Sequence, residues 1–398
     1  MKYILSILII TTFQLQSAAQ GCVAVRQMGG INAMYFSNSY SLSKGDIQVG
    51  ANYRYFHSWR HFVGTEEQPQ RQNTGGGIGA DGIDHGNAVN IYSHALDLNF
   101  SYGLSNRIQL NATLPYVHNE RSQVLRQTAP VKDTFRYSVF ASGLADVRLS
   151  FNYLVFSPDK AHNGNILLGA GIKLNTGSHS ETDQAPQANG TKRIATMDQA
   201  IQPGDGGIGF TVEVQGFRKF SKSIYGFING YYLFNPKESN GTFKSKPDSG
   251  LAGYNIYACP DQYFVRGGLL AVVGKPQKLS LSLALRWEGI PAYDAFGGQV
   301  AYRRPGYVVA IEPGISYSTG NHSLNLFVPY NFVKNRVQSA ADIAKQNMEN
   351  AKIHDPAQQI HVQGDAAFAD YSITLGYAYR FVKNKKHSTF NPDTLKHL

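Results

Sequence analysis

His57 and His61 stand four residues apart in the run HSWRH. On a helix that spacing would put two imidazoles on one face for a metal ion. Here an alternating strand runs out into a loop, so no chelating face is expected. Gly77-Ile78-Gly79-Ala80-Asp81-Gly82 fits the G-x-G-x-x-G pattern. It lacks the strand before and the helix after that a dinucleotide phosphate site requires. The overlapping run 76–84 fits a single calcium-binding nonapeptide, a unit that works in stacked copies. Asp81 and Asp84 stand as an alternative calcium pair, but a hard cation needs several more oxygens, and a flexible surface loop is the leading expectation. No G-x-S-x-G elbow occurs, and no serine has an obvious His and acidic partner. The chain therefore offers no catalytic residues, no metal site and no cofactor site, and it is expected not to be an enzyme.

Another set of charges recurs on one parity of alternating segments. Arg54, Arg148, Lys173, Arg266, Arg286 and Arg380 share that parity with Asp97, Asp146, Glu213, Glu288 and Glu312. Facing one enclosed space, they either line a wet solute path or pair and stiffen its wall. Both readings stand at this point. Whichever holds, these residues need strands that all present the same face to one interior.

Those strands are legible. In residues 278–288, KLSLSLALRWE, Leu279, Leu281, Leu283, Leu285 and Trp287 point one way and Ser280, Ser282, Ala284, Arg286 and Glu288 the other. Segments of this kind occur at about 46–57, 90–103, 107–118, 143–156, 164–176, 207–219, 223–235, 261–273, 278–289, 306–318, 322–333 and 369–382. Each is long enough for the roughly 9–11 tilted residues that cross a bilayer. The segments at 223–235, 261–273 and 322–333 carry apolar residues on both parities. Short links alternate with long ones at 58–89, 119–142, 177–206, 236–260, 290–305 and 334–368. That rhythm predicts an all-β fold: one closed antiparallel transmembrane barrel of twelve strands, with short periplasmic turns and long extracellular loops. Closure leaves no edge unpaired against lipid. Trp59, Tyr102, Tyr116, Tyr231, Tyr232, Phe234, Trp287 and Tyr317 near strand ends are expected to form interfacial girdles. Ser339-Ala340-Ala341-Asp342 resembles a capping box opening a short loop helix to about Asn350.

The remaining organisation follows from the ends and the bulk. Residues 1–19 have Lys2, an apolar run from Ile4 to Ile10, and a Ser17-Ala18-Ala19 cleavage site, so they read as a cleaved signal peptide. Residues 20–45 form a periplasmic or plug segment, 46–382 the barrel and 383–398 a periplasmic tail. Cys22 and Cys259 are each open to a disulfide with the other, to lipidation at Cys22, or to remaining free. Only 16% of the 398 residues are charged, against 40 Gly and 24 Tyr, which favours strands and aromatic belts over a helical enzyme. The formal net charge of +10 is scattered, with no basic run before Lys383–Lys386. No nucleic-acid partner is expected.

Three stretches carry a family resemblance. GLADVRLSFNYLVF (143–156), GIKLNTGSHSETD (171–183) and QPGDGGIGFTVEVQGFRKFSKSIYGFINGYYLFNP (202–236) hold a G-L-x-D-x-R-L strand start, a K-L-x-T-G strand end and a P-G-D-G hairpin entry. They resemble the outer-membrane family named for the meta-pathway of phenol degradation, which is similar to the fatty-acid channel type. The resemblance implies a barrel that passes hydrophobic or aromatic compounds, and it supplies no binding residues to carry over. Barrels usually end on an aromatic such as Phe381, and the chain continues beyond it.

The expectation is thus an outer-membrane barrel acting as a passive channel for small hydrophobic or aromatic solutes. Its expected partners are outer-membrane lipids, the barrel assembly machinery and small solutes. The alternatives are a non-conducting structural or surface-binding barrel and a lipid-active barrel enzyme.

Overall fold

The structure, a computed structural model, describes residues 42–73, 82–127, 133–158, 161, 163–244, 251–273 and 278–383. The signal peptide, Cys22, most of the 20–45 segment, the glycine run 76–81 and the tail from 384 lie outside the described residues.

Twelve wall strands close an antiparallel barrel. The first three are β1 (Ile47–Val63), with the short β2 (Glu66–Glu67) folded back on its end, β3 (Asn90–Gly103) and β4 (Ile108–Arg126). The fourth is broken into β5 (Thr134–Leu144) and β6 (Arg148–Leu154), and β7 (Gly164–Lys173) is the fifth. The loop after β7 carries a hairpin, β8 (Thr182–Pro186) and β9 (Lys192–Thr196). Then come β10 (Gly209–Lys219) and β11 (Ile224–Phe234), and a second loop hairpin, β12 (Ser239–Phe243) and β13 (Ile256–Ala258). The last wall strands are β14 (Gln262–Val273), β15 (Leu279–Ile290), β16 (Gly306–Thr319), the pair β17 (His322–Phe327) and β18 (Tyr330–Asn335), and β19 (Ala366–Phe381). Pairing of β1 with β19, from Ile47↔Phe381 to Phe62↔Ala366, closes the ring.

Alternation decides which face each residue takes. Leu110, Leu114, Leu149, Phe151, Leu281, Leu283, Leu285, Leu375 and Tyr377 are exposed on the outside. Their neighbours Gln109, Thr113, Arg148, Asn152, Ala284, Arg286 and Thr374 are buried inside. An outward apolar band over a polar interior is what lipid demands of a barrel. Gly320 (φ 54°) sits first in the two-residue turn joining β16 to β17, where a type II′ hairpin needs a positive φ.

Several boundaries differ from those read in the sequence. β1 and β4 run on to Val63 and Arg126, well into segments expected to be loop, because barrel walls extend past the membrane at the long-loop end. The segment expected as one strand at 143–156 is broken at 145–147, and that at 322–333 is broken at Val328–Pro329, since Pro329 has no N–H for a ladder. Bulges between Phe56 and Arg60 shift β1 by register. His57 consequently faces out, stacked on Tyr92, while His61 faces in. Tyr231 is 4% exposed and points into the lumen, so it is not part of an interfacial girdle. The short helix does form, as α2 (Ala340–Asn350), with both bonds of the Ser339/Asp342 capping box in place; it is preceded in the chain by α1 (Gln70–Asn73).

Candidate functional site: a closed belt beneath an apolar mouth

All eleven candidate lumen residues are buried. They separate into three groups.

Eight of them meet in the middle of the wall strands. Arg148 Nη2 lies 2.9 Å from Glu213 Oε1. Arg266 and Arg286 stand directly opposite each other on β14 and β15. That like-charge pair is tolerable only because Glu312 on β16 takes one guanidinium on each oxygen, at 2.6 Å and 2.8 Å. Arg286 also reaches Glu288 at 2.8 Å. Arg54 on β1 lies within electrostatic reach of Asp97 beside it and of Glu288 and Arg286 across the lumen. All eight are at most 8% exposed, so this level of the lumen is packed with its own side chains.

The guanidiniums rest on aromatic faces as well. Arg148 lies 5.2 Å from the Tyr231 centroid, Arg286 4.8 Å from Phe264, and Arg266 5.4 Å from Phe327. These contacts stabilise a desolvated cation that carboxylates alone compensate poorly. The aromatics come from β11, β14 and β17. In the sequence these were the strands with apolar residues on both parities, so the signal was present without its meaning.

The second group, Asp146 and Lys173, sits where the fourth wall strand breaks. Lys173 Nζ contacts Asp205 Oδ1 at 2.5 Å, Asp146 Oδ2 at 3.2 Å and the Gly207 carbonyl at 2.6 Å. The Thr176 hydroxyl donates to Ala145 O and accepts from Val147 N, and Gly177 N donates to Asp146 Oδ1. Gly177 and Gly204 cross so closely that a Cβ on Gly204 would lie 2.4 Å from Gly177 O. The G-L-x-D-x-R-L, K-L-x-T-G and P-G-D-G stretches thus converge on one junction. Sequence reasoning missed Asp205, because a loop residue shows no strand parity.

Above this junction the wall is stepped. β7 stops at Lys173, while β5 continues beyond that level and pairs only with β4 among the described residues. The β8–β9 hairpin lies against the open flank of β5, with Asp183 accepting from Phe140 N at 2.9 Å.

The third group is Arg380 alone. It binds Asp46 at 2.8 Å at the short-turn rim, tying the last strand to the start of the first, far from the belt.

Above the belt an apolar cluster sits among buried polar and charged groups. Met197, Ala200 and Ile201, from the loop after β9, pack on Phe62, Ile91 and Phe368 and on small residues of β5 and β19. Ile201 is fully buried, a contribution of about 1.5–3 kcal/mol. Asn119 Nδ2 donates to Ile201 O, and Arg304 holds Asp198 by two bonds of 2.6 Å and 2.8 Å. Burial alone would raise the Asp198 carboxyl, but Arg304 and Arg121 outweigh it and hold the group well below the usual range. Cys259 is buried in the neighbouring loop with Sγ 3.2 Å from Asp205 O, and burial pushes its thiol up to about 12. Asp84, the described half of the calcium candidate, is bound by Arg71 at 2.6 Å.

No family model matches the chain, and no curated relative matches it. Solved structures do share its fold. An outer membrane channel from Pseudomonas putida F1 matches with a TM-score of 0.51 at 11% identity, over 87% of this chain and 99% of that one. The Ralstonia pickettii toluene transporter TbuX (TM-score 0.40, 10% identity, 85% and 90% coverage) matches more loosely. So does the P. putida toluene transporter TodX (0.41, 10%, 85% and 91%). The first of these carries the comparison, and at such identity it establishes the fold of an outer-membrane barrel.

Proposed function

We propose that this chain sits in the outer membrane and passes small apolar or aromatic solutes passively. The observation that carries the reading is the lumen's division: a buried apolar cluster stands above a belt of paired, buried charges. An apolar ring reaching that cluster would be transferred out of water. The wall step beside β5 offers such a solute a flank covered by a hairpin rather than by a paired strand. The resemblance to the phenol meta-pathway family points the same way. The outward apolar band is compatible with outer-membrane lipid as its surroundings, and insertion would use the barrel assembly machinery.

The test is uptake of radiolabelled toluene by Gram-negative cells with and without the protein. Faster uptake in cells carrying the protein is expected. A second reading, a non-conducting surface-binding barrel, draws on the filled belt itself. It is favoured if correctly inserted protein leaves toluene uptake at the empty-vector rate.

A further inference from the structure

The outer surface of the wall carries a feature that solute passage does not use. His94 on β3 and His118 on β4 are direct cross-strand partners, both facing outward. They stand two positions beyond the exposed apolar residues Leu96 and Tyr116, toward the long-loop end, at the margin of the lipid-facing band. Their ring centroids are 6.2 Å apart.

Each ring is oriented by a hydroxyl on its far side. Nδ1 of His94 lies 2.6 Å from the Tyr53 hydroxyl, on β1. Nδ1 of His118 lies 2.6 Å from Ser142 Oγ, on β5. The strand order is β1, β3, β4, β5, so these two hydroxyls flank the histidine pair from opposite sides. Nδ1 of each ring is thus engaged on the side away from its partner, which leaves the Nε2-bearing edge of each available to a shared ligand. Ring packing supports the pose: Tyr55 lies 5.1 Å from His94, and Phe140 stacks on His118 at 6.0 Å.

We infer that His94 and His118 form a two-imidazole clamp for a divalent transition-metal ion on the outer wall, with Tyr53 and Ser142 as the positioning residues. Two nitrogens each about 2.0–2.1 Å from a shared ion require ring centroids about 5–6 Å apart, which a small rotation of either ring supplies. In the metal-binding tautomer Nδ1–H donates to the hydroxyl oxygen and Nε2 presents its lone pair, the usual arrangement of a ligating histidine. No group of three or more such ligands gathers among the described residues, so water or an anionic oxygen from the surroundings would complete the coordination. Imidazole ligands favour Cu²⁺ above Zn²⁺. A bound ion would also staple β3 to β4.

The test is calorimetric titration of the full chain, free of added histidine tags and folded in detergent, with Cu²⁺ and then Zn²⁺. One site is expected, tighter for Cu²⁺. His94→Gln and His118→Gln should each weaken it at least tenfold, whereas His322→Gln, outward on another strand, should leave it unchanged. Tyr53→Phe and Ser142→Ala should each weaken it by about tenfold through loss of ring orientation. Electron paramagnetic resonance of the Cu²⁺ form should show two nitrogen ligands, a readout that needs no variant to fold. Binding that survives the double substitution, or that depends on one histidine alone, would overturn the clamp.

Discussion

The belt and the mouth close the same lumen by different means. In the belt every charged group sits on a wall strand, and its position is fixed by register, as with Arg266 opposite Arg286 and Glu312 beside both. In the mouth the closing residues Met197 to Ile201 come from a loop, held by Asn119, Arg304 and apolar packing. A strand-borne closure yields only if side chains break their pairs or the barrel itself deforms. A loop-borne closure yields if the loop withdraws. The contrast teaches that the mouth is the adjustable part and the belt the fixed one.

The largest effect is expected from breaking the belt. Glu312→Ala leaves two facing guanidiniums without their shared carboxylate, and unfolding in detergent should show a loss of about 3–5 kcal/mol. A smaller loss would mean that the belt is wetter and looser than its pairs indicate. In the mouth, Asp198→Asn weakens two charge-assisted bonds worth about 1.5–3 kcal/mol. Here the loss should be local: faster proteolytic cleavage in the loop after β9 with little change in global unfolding. Equal effects on both readouts would erase the distinction between the two closures. Ser339→Ala removes the cap of α2 at a cost of about 1 kcal/mol. It should show as faster amide exchange in that helix alone.

Acid should act on the mouth's outer rim with a defined sign. The bond from Arg60 holds the Glu67 carboxyl down at about 2. Burial raises Asp365, but its bond to His61 and the nearby Arg71 bring it to about 2 as well. Groups depressed in the folded state contribute stability above their unfolded values of about 4, and that stability disappears as pH falls toward about 2. Amide exchange around β2 and the start of β19 should therefore rise between about pH 4 and 2, by less than the substitutions above produce.

How much was legible depended on whether a residue's role is set by alternation. Strand parity placed Arg148, Glu213, Arg286 and Glu312 inside and Leu281, Leu283 and Leu285 outside, because a one-residue slip would reverse every side chain. Parity could not say that the charges pair across strands, since register between strands is set by pairing and not by either sequence alone. Nearness to a strand end misplaced Tyr231, because an aromatic packed on a buried guanidinium looks in sequence like one at a lipid interface. Asp46 and Asp205 were invisible as partners, one at a rim and one in a loop. The break at 145–147 was also hidden: Asp146 kept the inward parity of its strand while serving as a junction for a loop 59 residues further on.

Single-channel recording in planar bilayers tests the central claim most directly. A lumen closed to ions by its own paired charges predicts at most a small conductance for the native barrel and a clear increase for Glu312→Ala. A large, steady conductance in the native protein, unaltered by that substitution, would contradict the account.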